Sequence, residues 1–142
     1  VIEYKYIQVK DAIKDWKEAI RIGAKPLLED NIISDNYIEQ MINNVIKMGP
    51  YIVIAENIAI PHARPEDGAY KSAISILKLR DKVKFGEERQ VNTIIVLASA
   101  NDEKHIETLK KISNVLSDKT NYNKLINTES VAEIYNIWNH KD

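Results

Sequence analysis

With three histidines and no cysteine, nucleophilic or acid–base chemistry near neutral pH falls first to imidazole. His62 lies in the string Ile60-Pro61-His62-Ala63-Arg64-Pro65-Glu66-Asp67-Gly68. A short apolar run ends, Pro61 fixes the backbone, and His62 stands at the mouth of a loop, with Arg64 two residues on and able to reach the same pocket. A neutral imidazole nitrogen is a nucleophile, and a guanidinium binds phosphoryl oxygens two at a time while stabilising their charge. Together they suit phosphoryl chemistry. Residue types alone also admit a plainer reading, a surface histidine in a turn beside a solvated arginine.

His105 follows the most apolar stretch, Val91 to Ser99, and falls in the first turn of a helix capped by Asn101 or Asp102. Free N–H groups and the positive dipole end make such a turn receptive to anions. A histidine there can donate to a phosphoryl oxygen; an exposed helical residue is the plainer alternative. The pair is more informative than either member, because each follows a strand candidate, the usual place for a site in α/β folds. His140 sits in the tail Asn139-His140-Lys141-Asp142 and receives no role. Zinc held by the histidines with Asp102, Glu103 or Glu66 is a weaker alternative, because no His-Glu-x-x-His spacing occurs. The serine-hydrolase elbow, the P-loop and the dinucleotide glycine motif are all absent, and 4 glycines leave little material for a nucleotide cradle. Phosphate, if handled, is handled by side chains. No metal and no cofactor are expected.

The elements that must position these residues alternate along the chain. Asp15-Trp16-Lys17-Glu18 reads as a capping box opening a first helix, which Pro26 bends or breaks. A second helix runs from about Asp35 to Met48, with Ile38, Met41, Ile42, Val45 and Ile46 as its buried stripe, and Gly49-Pro50 ends it. Strands are expected at Tyr51 to Ala55, Ile58 to Ile60, Ala73 to Leu79 and Val91 to Ser99, with Val83 to Phe85 a short strand or turn. Val91 to Ser99 should be central, since doubly covered strands read as continuous apolar runs. A helix from about Glu103 to Leu116 turns Ile106, Leu109, Ile112, Val115 and Leu116 inward. A short piece near Tyr122 to Ile126 follows, and Ser130 to Glu133 caps a last helix that buries Val131, Ile134 and Trp138. This order predicts an α/β fold, a mixed β-sheet flanked by helices on both sides. The strand order is not legible.

The whole chain sets outer limits. Its 142 residues suit one domain, residues 1–142. Twenty basic and 21 acidic residues give a net charge of −1, which supports no direct nucleic-acid role. No apolar run approaches the ~20 residues that span a bilayer, and the first residues lack the apolar core of a secretory leader. With no cysteine, a cytoplasmic location is expected. The first residue is Val rather than Met, so a stand-alone protein and a domain cut from a longer chain both stay open.

The pattern resembles the enzyme IIA domains of the sugar phosphotransferase system (PTS), mannitol/fructose type, and within them the ascorbate-type branch. The residues that carry the likeness are Asp15 to Arg21, Tyr37-Ile38, Gly49 to Ile54, Ile58 to Glu66, Val83 to Gly86, and His105 with Leu109. The resemblance implies the mannitol-type enzyme IIA fold and a phosphotransferase component, a phosphohistidine carrier. Its histidine, here His62, accepts phosphate from the phosphocarrier HPr and passes it to a cysteine of a cognate enzyme IIB, working with a membrane enzyme IIC for sugar uptake. His105 maps onto the family's second active-site histidine, a donor to the phosphoryl group. A partner surface is then expected around His62, with Ala59, Ile60 and Ala63 as candidates. One departure stands out. Mannitol-type members carry an arginine between the second helix and the Pro-His motif, whereas residues Ile42 to Glu56 here contain only Lys47. Arg64 is the expected replacement. The alternative implied by the same likeness is a regulatory enzyme IIA-like domain of a PTS-controlled transcription activator.

Overall fold

The computed structural model describes residues 2–139; His140 lies outside them. A 3-10 turn (Tyr4–Tyr6) leads into β1 (Ile7–Lys10), followed by α1 (Trp16–Glu29) and α2 (Asp35–Met48). The middle of the chain holds β2 (Val53–Ala55), β3 (Asn57–Ala59), β4 (Ala73–Lys84) and β5 (Gln90–Ala98). Helices α3 (Asp102–Ser117), α4 (Lys119–Asn127) and α5 (Val131–Asn139) complete it.

The five strands form one mixed sheet in the order β1-β4-β5-β3-β2. β5 is central, as its sequence predicts, and every residue from Val91 to Ala98 is buried. It pairs antiparallel with β4 and parallel with β3. Helices cover both faces. A Cβ on Gly23 of α1 would touch Val96, Ile94 and Leu77. Ile74, of opposite parity to Leu77 on the pleated strand, lines a small pocket with Ile112 of α3 and Trp138 of α5 on the other face.

Four expectations are corrected. Pro26 does not break α1, which runs on to Glu29. Proline deprives the carbonyl four residues earlier of its donor, and the side-chain amide of Gln8 in β1 supplies one to Ile22 O at 2.7 Å. Val83 belongs to the single strand β4, whose pairing with β5 shifts register between Lys78 and Val83. Ile46 is 57% exposed and Ile106 55%. α2 packs on α1 through the narrower stripe Ile38, Met41, Ile42 and Val45. Ile106 belongs to the first turns of α3, at the ends of the strands, and Ile112 is the residue of that helix that is fully buried. The edge strand β1 is an element the sequence reading did not contain.

The helix starts obey their caps. Asp15 accepts from Glu18 N at 2.9 Å, Ser34 from Tyr37 N at 3.2 Å and Asn101 from Lys104 N at 2.8 Å, each satisfying an otherwise orphaned donor. Asn101 rather than Asp102 therefore caps α3. No helix among the described residues is long and apolar enough to cross a membrane.

Candidate functional site

Parallel pairing of β3 and β5 sends both strands out at the same edge of the sheet. Pro61-His62 follows β3 and α3 follows β5, so this pairing alone brings the two histidines together. Their ring centroids are 5.4 Å apart. Both line a cleft of about 460 Å³ whose wall also includes Gln40, Asn44, Met48, Tyr51, Arg64, Asp67 and Asp102. The three residues expected at the site are thus assembled at one place.

His62 is held at both ring and backbone. Its Nδ1 lies 2.8 Å from the Ile60 carbonyl. A carbonyl can only accept, so Nδ1 carries the proton and the neutral ring keeps its lone pair on Nε2. Tyr51 meets the ring edge-on, centroids 6.0 Å apart. Burial pushes the His62 pKa below its ordinary value of 6.5, the Ile60 bond opposes this in part, and the neighbouring His105 lowers it further. At neutral pH the ring is therefore uncharged and nucleophilic.

His105 is half-buried in the first turns of α3, its Nδ1 3.4 Å from the Ser99 hydroxyl. If that hydroxyl is the donor, the His105 proton sits on Nε2. The early N–H groups of α3 add positive potential at the same end of the cleft. Arg64 is exposed, and among the described residues its guanidinium has no hydrogen-bond or ion-pair partner. Its backbone is fixed instead: Arg64 N donates to the Asp67 carboxylate at 3.1 Å and Asp67 N to Arg64 O at 2.9 Å. A cation on a braced backbone with a free head group can turn toward an incoming anion.

The sequence reading missed the contribution of α2. Gln40, Asn44 and Met48 recur every four residues and present one row to the cleft. The two amides flank the apolar stripe of α2, a pattern equally usual on a solvated helix face. The candidates for the expected partner surface are also corrected. Ala59, Ile60 and Ala63 are buried, because they form the end of β3 and the turn packed on β5. Exposed apolar side chains near the site are Met48 and Tyr51 in the cleft wall, Ile54, and Ile106, which follows His105 in the chain. Ile54, together with Leu109 and Leu116, also lines a second groove of about 370 Å³ that shares His62 with the cleft. His62 thus stands between a polar cleft and an apolar one, an arrangement suited to chemistry at a protein–protein contact.

Comparison with known proteins gives the same direction. The family model described as "Phosphoenolpyruvate-dependent sugar phosphotransferase system, EIIA 2" matches residues 1–141. The mannitol-specific cryptic phosphotransferase enzyme IIA component of Escherichia coli K12 is 35% identical over 132 residues, 92% of this chain and 90% of that protein. The solution structure of the cryptic enzyme IIA CmtB from Escherichia coli superposes with a TM-score of 0.90 at 33% identity, covering 98% of this chain and 95% of that one. The ascorbate-specific PTS system EIIA component of Escherichia coli K12 is 28% identical over 138 residues, 95% of this chain and 90% of its own. The mannitol enzyme IIA in a complex with phosphorylated enzyme IIB from Escherichia coli superposes with a TM-score of 0.84 at 25% identity, over 99% of both chains.

Proposed function

The chain belongs to the EIIA 2 family of the phosphoenolpyruvate-dependent sugar phosphotransferase system, and from that premise we propose that it carries a phosphoryl group on Nε2 of His62, received from phospho-HPr and delivered to a cognate enzyme IIB. The observation that carries this reading is the His62 Nδ1–Ile60 O bond: it leaves a nucleophilic nitrogen in a cleft shared with His105 and Arg64.

In the first transfer, Nε2 attacks phosphorus in line as the bond from phosphorus to the donor atom breaks, and the donor atom leaves with the electron pair. Nδ1 keeps its proton throughout, so no proton has to cross the site. The ring gains positive character, which the Ile60 carbonyl offsets. Arg64 and a His105 N–H meet the equatorial oxygens, so catalysis is positioning and charge stabilisation. In the second transfer the Nε2–P bond breaks as an enzyme IIB thiolate binds phosphorus, and His62 returns to its starting tautomer. The mannitol relative seen in complex with a phosphorylated enzyme IIB supports the acceptor, and the exposed Met48, Tyr51, Ile54 and Ile106 offer the apolar contact both partners need.

Incubation with phosphoenolpyruvate, enzyme I and HPr tests the proposal. Intact-mass analysis should show one acid-labile phosphoryl group on the wild type and none on His62→Ala. No phosphate on the wild type, or the same phosphate on the variant, refutes it.

A further inference from the structure

The segment Pro61-His62-Ala63 continues β3 along β5, but not as an ordinary ladder. The register Ala59↔Ile94, extended three residues, sets His62 opposite Leu97. In a parallel pair, the residue opposite donates its N–H to one flanking carbonyl and accepts from the other flanking N–H. The first rung is present: Leu97 N donates to Pro61 O at 3.0 Å. The second is not direct. Tyr37 of α2 places its hydroxyl in it, accepting from Ala63 N at 3.2 Å and donating to Leu97 O at 2.7 Å. Ala63 O lies 3.3 Å from the same hydroxyl, so the one phenolic proton goes to the nearer carbonyl. The ring is 1% exposed. Burial pushes its pKa up to about 12, so the proton is never lost at working pH.

We propose that Tyr37 is a positioning residue for His62, its hydroxyl spliced into the β3–β5 ladder as a bridging rung that sets the width of the strand exit and hence the aim of the imidazole. Without the hydroxyl, Ala63 N and Leu97 O have two outcomes. They stay apart as buried unpaired groups, which is costly, or they close to a direct rung. Closing pulls the backbone on the C-terminal side of His62 toward β5 and swings the ring relative to the Ile60 carbonyl that fixes its tautomer. Tyr37 touches no reacting atom; it acts through the backbone. The consequence for transfer rests on the function proposed above, while the consequence for the imidazole does not.

Tyr37→Phe keeps the ring and removes the rung. The 15N shifts of His62 in the unphosphorylated protein should move from a pure Nδ1–H tautomer toward a mixture, with a changed titration midpoint. Transfer from phospho-HPr should slow at least ten-fold in kcat with KM unchanged, because the partner surface is untouched. 4-Aminophenylalanine at position 37, which can both donate and accept, should restore both readouts. A Phe variant with wild-type tautomer, midpoint and rate overturns the assignment. If the Phe variant does not fold, amide exchange of Ala63 in the wild type decides: protection supports the rung, and free exchange overturns it. A wild type that takes up no phosphate refutes the carrier function alone, since the tautomer measurement uses no phosphate.

Discussion

Gly68→Ala tests how the site loop is fastened to the helix beneath it. Gly68 has φ +128°, and a Cβ there would lie 1.9 Å from Ser34 Oγ and 3.0 Å from Ser34 Cβ. Ser34 cannot simply rotate away. Its hydroxyl caps α2 through Tyr37 N at 3.2 Å, and its N–H donates to Gly68 O at 2.9 Å. The substitution therefore combines about 1–3 kcal/mol of backbone strain, about 1 kcal/mol for the displaced cap and about 1 kcal/mol for the weakened backbone bond. The total is about 3–5 kcal/mol, a large share of the ~5–15 kcal/mol that holds a domain together. Gly49→Ala is the matched control: φ is +81° but nothing lies within 4 Å, so strain alone is expected. Urea unfolding followed by circular dichroism gives both costs. In a Ser34→Gly background the obstacle is gone, and the cost of Gly68→Ala should fall by about 2 kcal/mol, to the level of the control. Equal costs in the two backgrounds, or equal costs at positions 49 and 68, would refute the argument.

Arg64→Ala should slow phosphoryl acceptance about 10–100-fold, the worth of a charge-assisted hydrogen bond of about 1.5–3 kcal/mol, while leaving the unfolding free energy within about 0.5 kcal/mol of the wild type because the side chain is exposed and unpaired among the described residues; rapid-quench kinetics showing an unchanged rate would remove Arg64 from the mechanism. The pH profile of acceptance should be flat from pH 8 down through the ordinary histidine value of 6.5 and fall only below it, where His62 at last takes a proton. Stability follows the same sign. The unfolded chain binds that proton first, so stability is fully present above 6.5 and declines as pH falls through the lowered folded value. His62→Gln should show a shallower decline over that window in pH-dependent urea titrations, and an identical decline would mean that other groups carry it.

Much of this architecture was legible because local rules agreed with the global fold. Asp15 caps α1 where the sequence places a cap, Asn101 is one of the two caps the sequence offers for α3, and the apolar run Val91 to Ala98 could only be covered on both faces. The pair His62 and His105 was legible for the same reason, each following a strand candidate. What escaped depends on partners distant in sequence. β1 reads Ile-Gln-Val-Lys, too short to distinguish from a turn, and is a strand only because β4 offers it Ile76 to Leu79. Pro26 looked like a break because the donor that compensates for it, Gln8, lies in that unforeseen strand. Gln40 and Asn44 carry no signal in the sequence that marks them as cleft residues, since which side of α2 meets the cleft follows from its docking in the fold. Ile106 carries the right periodicity for the core but sits past the edge of what α3 covers.

The bridging rung at Tyr37 has a consequence for the order in which the molecule is built. Its partners on β5 are 60 residues away in the chain and those on the strand exit 26 away. Contacts between such distant segments carry a loop-closure cost and form late in folding. α1 and α2 can form from local contacts while Ile60, His62 and Leu97 are still unrelated. The reactive imidazole therefore comes into being only when β3 has docked on β5 and α2 has closed over both. A nascent or partly unfolded copy of the chain presents an ordinary histidine, so the rate of phosphohistidine formation after dilution from urea should trail helix formation and report completion of the sheet.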